Sequence, residues 1–345
     1  MKMGTIQKEL SIAYPIFQAG MAGGITTPEL VAAVSNFGAF GQIGAGYLTA
    51  EALRDAIREV KKRTNKPFGV NLFVPEPTRN VNKSDIEMMN ERLSQISPAI
   101  LPVTDPSGDQ HNEEYVKQIE VVVEEGVTAC SFTFGSPQLD VIHCLKAEGI
   151  KVIGTATTVE EGMMLEESGV HYVVAQGSEA GGHRGTFPTT KGDALIGTIA
   201  LVPQMADHLH IPVIAAGGIA DKRGIEAAYI LGAEGVQLGS IFLPCTESGS
   251  NPTYKRTLLA KTESDTALTK AFSGKWARGI QNEFMEKMKE VSVLPYPLQN
   301  TLTKALRAKA AKDQDPEKMS LWAGQALRLI TAECSVAEVL TKLTT

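Results

Sequence analysis

Pro212-Val-Ile-Ala-Ala-Gly-Gly-Ile-Ala-Asp-Lys-Arg-Gly-Ile-Glu-Ala-Ala-Tyr-Ile-Leu-Gly-Ala-Glu-Gly-Val-Gln-Leu-Gly-Ser240 holds one complete strand–helix–strand unit. Pro212–Ala216 is a short apolar run without polar alternation, the pattern of a strand covered on both faces. Asp221 stands at an N-cap, Ile225, Ala228, Tyr229 and Leu231 supply the apolar positions of a helix, and Gly232 stops it. Gly235–Leu238 is the next strand. Outward from this unit the same grammar predicts strands at Pro15–Ala19, Phe40–Ile43, Phe68–Phe73, Thr128–Phe132, Lys151–Gly154 and Tyr172–Ala175. Helix starts fall between them. Thr27-Pro28 puts a cap before a first-turn proline, with Leu30, Val31, Val34 and Phe37 as the buried face. Ser136-Pro137 repeats the device, and Thr158-Val-Glu-Glu161 fits a capping box. Eight strands alternating with helices give an α/β fold, a (β/α)8 TIM barrel. A doubly wound sheet is disfavoured because no G-x-G-x-x-G follows the first strand.

Two stretches break the repeat: a polar excursion from Pro75 to about Glu125, and a helix-forming stretch over 244–317 that contains Gly274 and Pro295-Tyr-Pro297. Long inserts in a compact barrel usually carry function or are disordered. The expected organisation is a barrel over 1–243, a smaller, mainly helical lid lobe over 244–317 built chiefly from that second stretch, and a C-terminal segment, 318–345, returning to the barrel.

The 345 residues are 43% hydrophobic and 21% charged, an ordinary globular balance. A net charge of −6 with no basic block argues against nucleic acid as a partner. No apolar run matches a membrane span, and Met1–Leu10 lacks the apolar core of a signal peptide. Cys130, Cys144, Cys245 and Cys334 are far apart, which suits reduced thiols in a cytoplasmic protein better than disulfides or a zinc site. Cys130 and Cys144 read as core residues. Asp105, Asp109, Glu113 and Glu114 read as a solvated loop, so no metal site is expected.

Two glycine-rich loops carry the candidate chemistry of the barrel mouth. Gly217 and Gly218 end the seventh strand before a capped helix, and Gly239-Ser240 ends the eighth. In barrels these two loops commonly bind a phosphate through exposed backbone N–H groups. No P-loop or dinucleotide fingerprint is present, which leaves a mononucleotide as the better-fitting ligand. After the sixth strand runs Gln176-Gly-Ser-Glu-Ala-Gly-Gly-His-Arg-Gly-Thr-Phe187, a single imidazole among glycines at the catalytic end of a barrel. His183 is therefore the candidate catalytic residue. The plainer alternative is a loop histidine bonded to a backbone carbonyl. His208 and His210 at a helix-to-strand junction, and His171 at the far end of the barrel, read as structural. Asn71 is open to a turn-capping role, and Arg184 to neutralising Glu179 or helix ends.

Gln18-Ala-Gly-Met21, Asn71, Gln176-Gly-Ser-Glu-Ala-Gly-Gly-His-Arg-Gly185, Ala216-Gly-Gly218 and Gln237-Leu-Gly-Ser240 together resemble the FMN-dependent nitronate monooxygenases, formerly 2-nitropropane dioxygenases. The resemblance continues through Ala271-Phe-Ser-Gly-Lys-Trp-Ala-Arg-Gly279 and Leu321-Trp-Ala-Gly-Gln325. It implies FMN as cofactor, with Asn71, Gln176, Gly181, Gly182, Gly217, Gly218, Gln237, Leu238, Gly239 and Ser240 contacting it. Ala19, Gly20 and Met21 should lie against its ring system, and His183 should face its reactive edge. The implied reaction oxidises an alkyl nitronate, such as propionate 3-nitronate, with dioxygen to a carbonyl compound and nitrite through an anionic flavin semiquinone. Here His183 either orients the nitronate oxygens or, with a neutral nitroalkane, acts as a general base near its ordinary pKa. An FMN-dependent NAD(P)H enoyl-ACP reductase is the alternative within the same superfamily. The chain departs from some members in having Tyr296 as the sole tyrosine after Tyr254, so their tyrosine-rich substrate wall does not carry over. Monomer and homodimer both remain open.

Overall fold

The computed structural model describes residues 4–76, 81–98, 102–103 and 110–345. Its strands are β1 (Ile16–Gln18), β2 (Gly41–Gly44), β3 (Phe68–Phe73), β4 (Ala129–Thr133), β5 (Lys151–Ala156), β6 (Tyr172–Gln176), β7 (Gly182–His183), β8 (Val213–Ala216), β9 (Gly235–Leu238), β10 (Thr266–Thr269) and β11 (Ala277–Ile280). Eight of them form one parallel sheet in the order β1-β9-β8-β6-β5-β4-β3-β2. A parallel bridge between Phe17 and Phe40 brings the two ends together, so the sheet closes as a TIM barrel.

Backbone bonds from Phe40 N to Ile16 O and from Gln18 N to Phe40 O, 2.9 Å each, make the closure, and a side chain extends it. Gln18 Oε1 accepts from Gln42 N at 3.0 Å and Gln18 Nε2 donates to Gln42 O at 3.2 Å, so the amide of Gln18 stands in for the next peptide group of the β1–β2 ladder. Both glutamines are fully buried, where an unpaired peptide group is costly.

The interior of the barrel has two tiers. Toward the N-terminal ends of the strands it is apolar, with Phe17, Phe40, Ala129, Ile153, Tyr172 and Ile214 packed together and plugged by Ile6 and Leu10 of the helix Thr5–Leu10. Toward the C-terminal ends the inward positions become polar: Gln42, Asn71, Ser131, Thr155 and Gln237. Strand alternation makes this division possible, since Val70, Cys130, Val152, Val173 and Val236 then face the ring of helices.

The helix ring is completed from a distance. The helices Pro28–Phe37, Ala50–Arg63, Gln110–Glu125, Leu139–Ala147, Val159–Ser168, Thr198–His208 and Lys222–Ile230 follow their strands, whereas the helix after β9 is the C-terminal Val336–Thr344, which packs on Pro28–Phe37 and Lys222–Ile230. The chain between β9 and that last helix builds the lid.

Several expectations need correction. Gln110–Glu125, inside the predicted polar excursion, is a barrel helix that buries Tyr115, Ile119 and Val122. Lys83–Ile96 joins the lid instead, where Met89, Leu93 and Ile96 share a core with Phe272, Phe284 and Leu302. The lid therefore draws on both inserts. Ser136-Pro137 does not start a helix; the helix begins at Leu139 with Gln138 at its N-cap and no side-chain cap bond. Cys144 is exposed on that helix, unlike the buried Cys130. Tyr229 also turns outward. Asp105 and Asp109 lie outside the described residues, and Glu114 accepts from Ala50 N at the start of a neighbouring helix. No helix among the described residues is long and apolar enough to cross a membrane.

Gln18→Leu keeps the volume but strands the N–H and C=O of Gln42, and should cost about 1–3 kcal/mol. Urea denaturation measures this as a lower midpoint at unchanged slope; an unchanged midpoint would show that the barrel closes without the Gln18 amide.

Candidate active site

At the C-terminal mouth of the barrel lies a cavity of about 450 Å³, within the range of small-molecule sites. Its floor is the polar tier. Gln42 Nε2 donates to Gln237 Oε1 at 3.2 Å, Ser131 Oγ donates to Gln42 Oε1 at 2.8 Å, and Asn71 Nδ2 donates to Ser131 Oγ at 2.9 Å and Thr133 Oγ1 at 3.2 Å. This chain orients Asn71, which is a buried strand residue at the cavity wall and not a turn cap. Gly20 lies so close that a Cβ there would come 2.5 Å from Asn71 Cβ, which explains why Ala19-Gly20-Met21 can pass over the floor. All three line the cavity.

One end of the cavity is made of backbone. Gly217 (φ 113°) and Gly218 (φ 72°) adopt angles that other residues reach only under strain. The amides of Gly218, Gly239 and Ser240 make no backbone hydrogen bond among the described residues. Three unpartnered N–H groups beside a cavity suit an anion. Ser240 Oγ accepts from Gly324 N at 2.9 Å, which leaves its own hydroxyl proton to donate. Gly181, Gly182, Gln237 and Gly239 line the same cavity, but Leu238 does not: its side chain is buried on the helix side of the barrel, and its carbonyl accepts from Ala19 N at 2.8 Å.

The other end holds His183. The run after β6 forms a short strand, β7, paired antiparallel with β11 of the lid through Gly182–Arg278 and His183–Ala277. Gln176 holds it from the barrel side: its Nε2 donates to His183 O at 3.0 Å, and its Oε1 accepts from Gly185 N at 2.8 Å and Arg184 Nη1 at 3.1 Å. Arg184 is 1% exposed and spends its remaining bonds on the carbonyls of Gly177 and Ala194, so it does not pair with Glu179. Glu179 instead accepts from Thr198 N at 2.9 Å, at the start of the helix Thr198–His208. The predicted capping box also forms, and Glu161 reaches beyond it to accept from Phe187 N at 2.8 Å, tying down the far end of the histidine run.

The His183 ring meets Phe134 edge-on at 5.7 Å between centroids, with Trp322 at 5.4 Å and Tyr296 at 6.5 Å. Its Nε2 lies 2.8 Å from Ser273 Oγ of the lid. Nδ1 has no protein partner among the described residues, which leaves it for a ligand. Burial, reinforced by the Arg307 and Lys275 cations, pulls the imidazole pKa down to about 3. This corrects the expectation of a histidine near its ordinary pKa. A base so weak is poorly matched to taking a carbon proton, whereas a neutral ring can still give or accept a hydrogen bond.

Comparison with known proteins places the chain. The family model for nitronate monooxygenase matches residues 5–345. The chain belongs to the nitronate monooxygenase family. It is 47% identical over 344 residues to a probable nitronate monooxygenase of Bacillus subtilis, covering 99% of this chain and 98% of the relative. Among solved structures, it resembles the nitroalkane oxidase of Streptomyces ansochromogenes, with a TM-score of 0.91 at 36% identity, covering 99% of this chain and 96% of that one. FabK of Thermotoga maritima is also similar, with a TM-score of 0.78 at 32% identity, covering 98% of this chain and 94% of the other. The chain is thus an oxidoreductase of a family that oxidises nitronates.

Several residues of this nitronate monooxygenase cavity escaped the reading of the sequence. Phe134, directly after β4, holds φ at 78°, a strained value for a phenylalanine, and so turns its ring onto His183. Its signal was present in Phe134-Gly135 at a strand's C-terminal end. Ser273 and Trp322 lie in stretches that the resemblance covered without giving them a role, and Arg307 was not singled out; nothing in their local sequence says which barrel residue they meet.

If His183 stays neutral, kcat/KM for a nitronate carries no histidine inflection between about pH 5 and pH 8, because protonation begins only as the pH falls toward the depressed value. Steady-state nitrite release across that range checks this; an inflection near 6.5 that vanishes in His183→Asn would contradict it.

Proposed function

We propose that the chain is an FMN-dependent nitronate monooxygenase that converts an alkyl nitronate and dioxygen into an aldehyde or ketone plus nitrite. The observation that carries this reading is that one cavity is lined both by three unpartnered backbone amides, suited to an anion, and by the imidazole of His183. A flavin mononucleotide fits that lining. The amides of Gly218, Gly239 and Ser240, with the Ser240 hydroxyl, would hold its phosphate, while Ala19, Gly20, Met21, Asn71 and Gln176 would border its ring system. FMN, when bound, supplies the acceptor for electrons from the nitronate carbon and the route by which they reach dioxygen.

The protein's own part is binding and orientation. A nitronate is already an anion, so no base is needed to begin. His183 offers Nδ1 to the substrate while Ser273 fixes the ring through Nε2. Phe134, Tyr296 and Trp322 exclude water around the imidazole and keep it uncharged. Gln176 keeps the histidine strand in register with the cavity.

His183→Asn, purified with its visible flavin spectrum intact, should release nitrite at least about 100-fold more slowly than the wild type. Undiminished turnover would remove His183 from the reaction. The enoyl-ACP reductase reading makes a different forecast: steady NADH consumption with an enoyl thioester and no nitrite from any nitronate.

A further inference from the structure

The lid helix Leu298–Asp313 delivers a guanidinium to the cavity that the reading above does not use. Arg307 is half-buried, and its three hydrogen bonds all go to uncharged groups: Nε to Thr303 Oγ1 at 3.2 Å, and Nη2 to Asn300 O and Oδ1, each at 2.8 Å. Its Nη1 has no protein partner, and no carboxylate pairs with it, among the described residues. Two other cations are nearby: Lys304 also lines the cavity but is solvent-exposed, and Lys275 is neutralised. Lys275 is ion-paired with Glu76, and both side chains are largely buried. Arg307 is therefore a partly desolvated positive charge that the protein does not neutralise. Such a charge is unfavourable unless an anion arrives to meet it.

The location indicates which anion. Arg307 lies on the His183 side of the cavity, near enough for its charge to disfavour protonation of that ring, and it shares the wall with Tyr47 and Trp322. The backbone end at Gly218 and Ser240 is built separately and requires no arginine. A neutral imidazole can orient a substrate but cannot balance its charge.

We propose that Arg307 is a specificity-determining residue that receives the negative charge of the substrate, so that the cavity selects a nitronate anion over the neutral nitroalkane. This rests on the nitronate reading above. Arginine suits the task because Thr303 and Asn300 hold Nε and Nη2 while Nη1 stays free to donate to a nitronate oxygen, and its charge persists across the working pH range.

The test uses the holoenzyme and its Arg307→Gln and Arg307→Lys variants, each checked for flavin content and thermal midpoint. Nitrite release gives KM for ethylnitronate, and neutral nitroethane is measured as a slow substrate or as an inhibitor. Arg307→Gln should raise KM for ethylnitronate about 10- to 100-fold, with the nitroethane constant changed less than about twofold, and Arg307→Lys should recover part of the loss. An unchanged KM for ethylnitronate, an equal loss for both compounds, or a loss of flavin would overturn the proposal. A second measurement is independent of turnover: quenching of tryptophan fluorescence on titration with sodium nitrite. If the wild type released no nitrite from any nitronate, the functional reading would fail. Arg307 would still be judged by this titration, weaker nitrite binding in Arg307→Gln supporting the anion site and equal binding overturning it.

Discussion

Residues 182–185 are held from two directions, and the working geometry of the molecule depends on that restraint. From the lid, β11 pairs with Gly182 and His183, and Arg184 N donates to Trp276 O at 2.8 Å. From the barrel, the single amide of Gln176 binds His183 O, Gly185 N and Arg184 Nη1. The histidine therefore belongs to both bodies. A lid that shifted would drag the imidazole, and a barrel strand that slipped would release it. Such over-determination is what allows a glycine-rich run to hold a ring in one orientation.

The electrostatics of the cavity follow from the same architecture. Closing the barrel beneath a polar tier places amides and hydroxyls, not charges, under the site. The aromatic wall then removes water from His183, and two lid cations raise the cost of protonating it. In the proposed function this becomes a division of labour between a neutral ring that directs hydrogen bonds and an arginine that carries charge. A nitronate presents both needs at once, since its charge is spread over two oxygens beside the reacting carbon.

The barrel was legible because its signals are local. Buried strands lack alternation, caps such as Thr27 and Asp221 bond the backbone three residues on, and paired glycines mark the mouth. His183 and Gly218 stood out by residue type and strand-end position, whereas Asn71 was singled out only by the family resemblance. The lid was much less legible. Lys83–Ile96 has an ordinary amphipathic pattern that does not reveal which core it enters, and β7 is too short to carry any pattern. Gln18 gave no hint that its side chain would replace a peptide group. Phe134 drew no attention in the sequence, where nothing announces its positive φ. The pKa of His183 is lowered by burial and by cations that lie far apart in sequence and meet only in the fold, so no local signal announces the shift.

In the proposed reaction, electrons leave a nitronate directly inside this cavity, with no pyridine nucleotide involved. Anaerobic stopped-flow absorbance of the flavin-loaded protein tests it most directly. The expected result is rapid change of the flavin bands on mixing with ethylnitronate and little change with NADH on the same timescale. Rapid bleaching by NADH, with ethylnitronate leaving the bands unaltered, would contradict it.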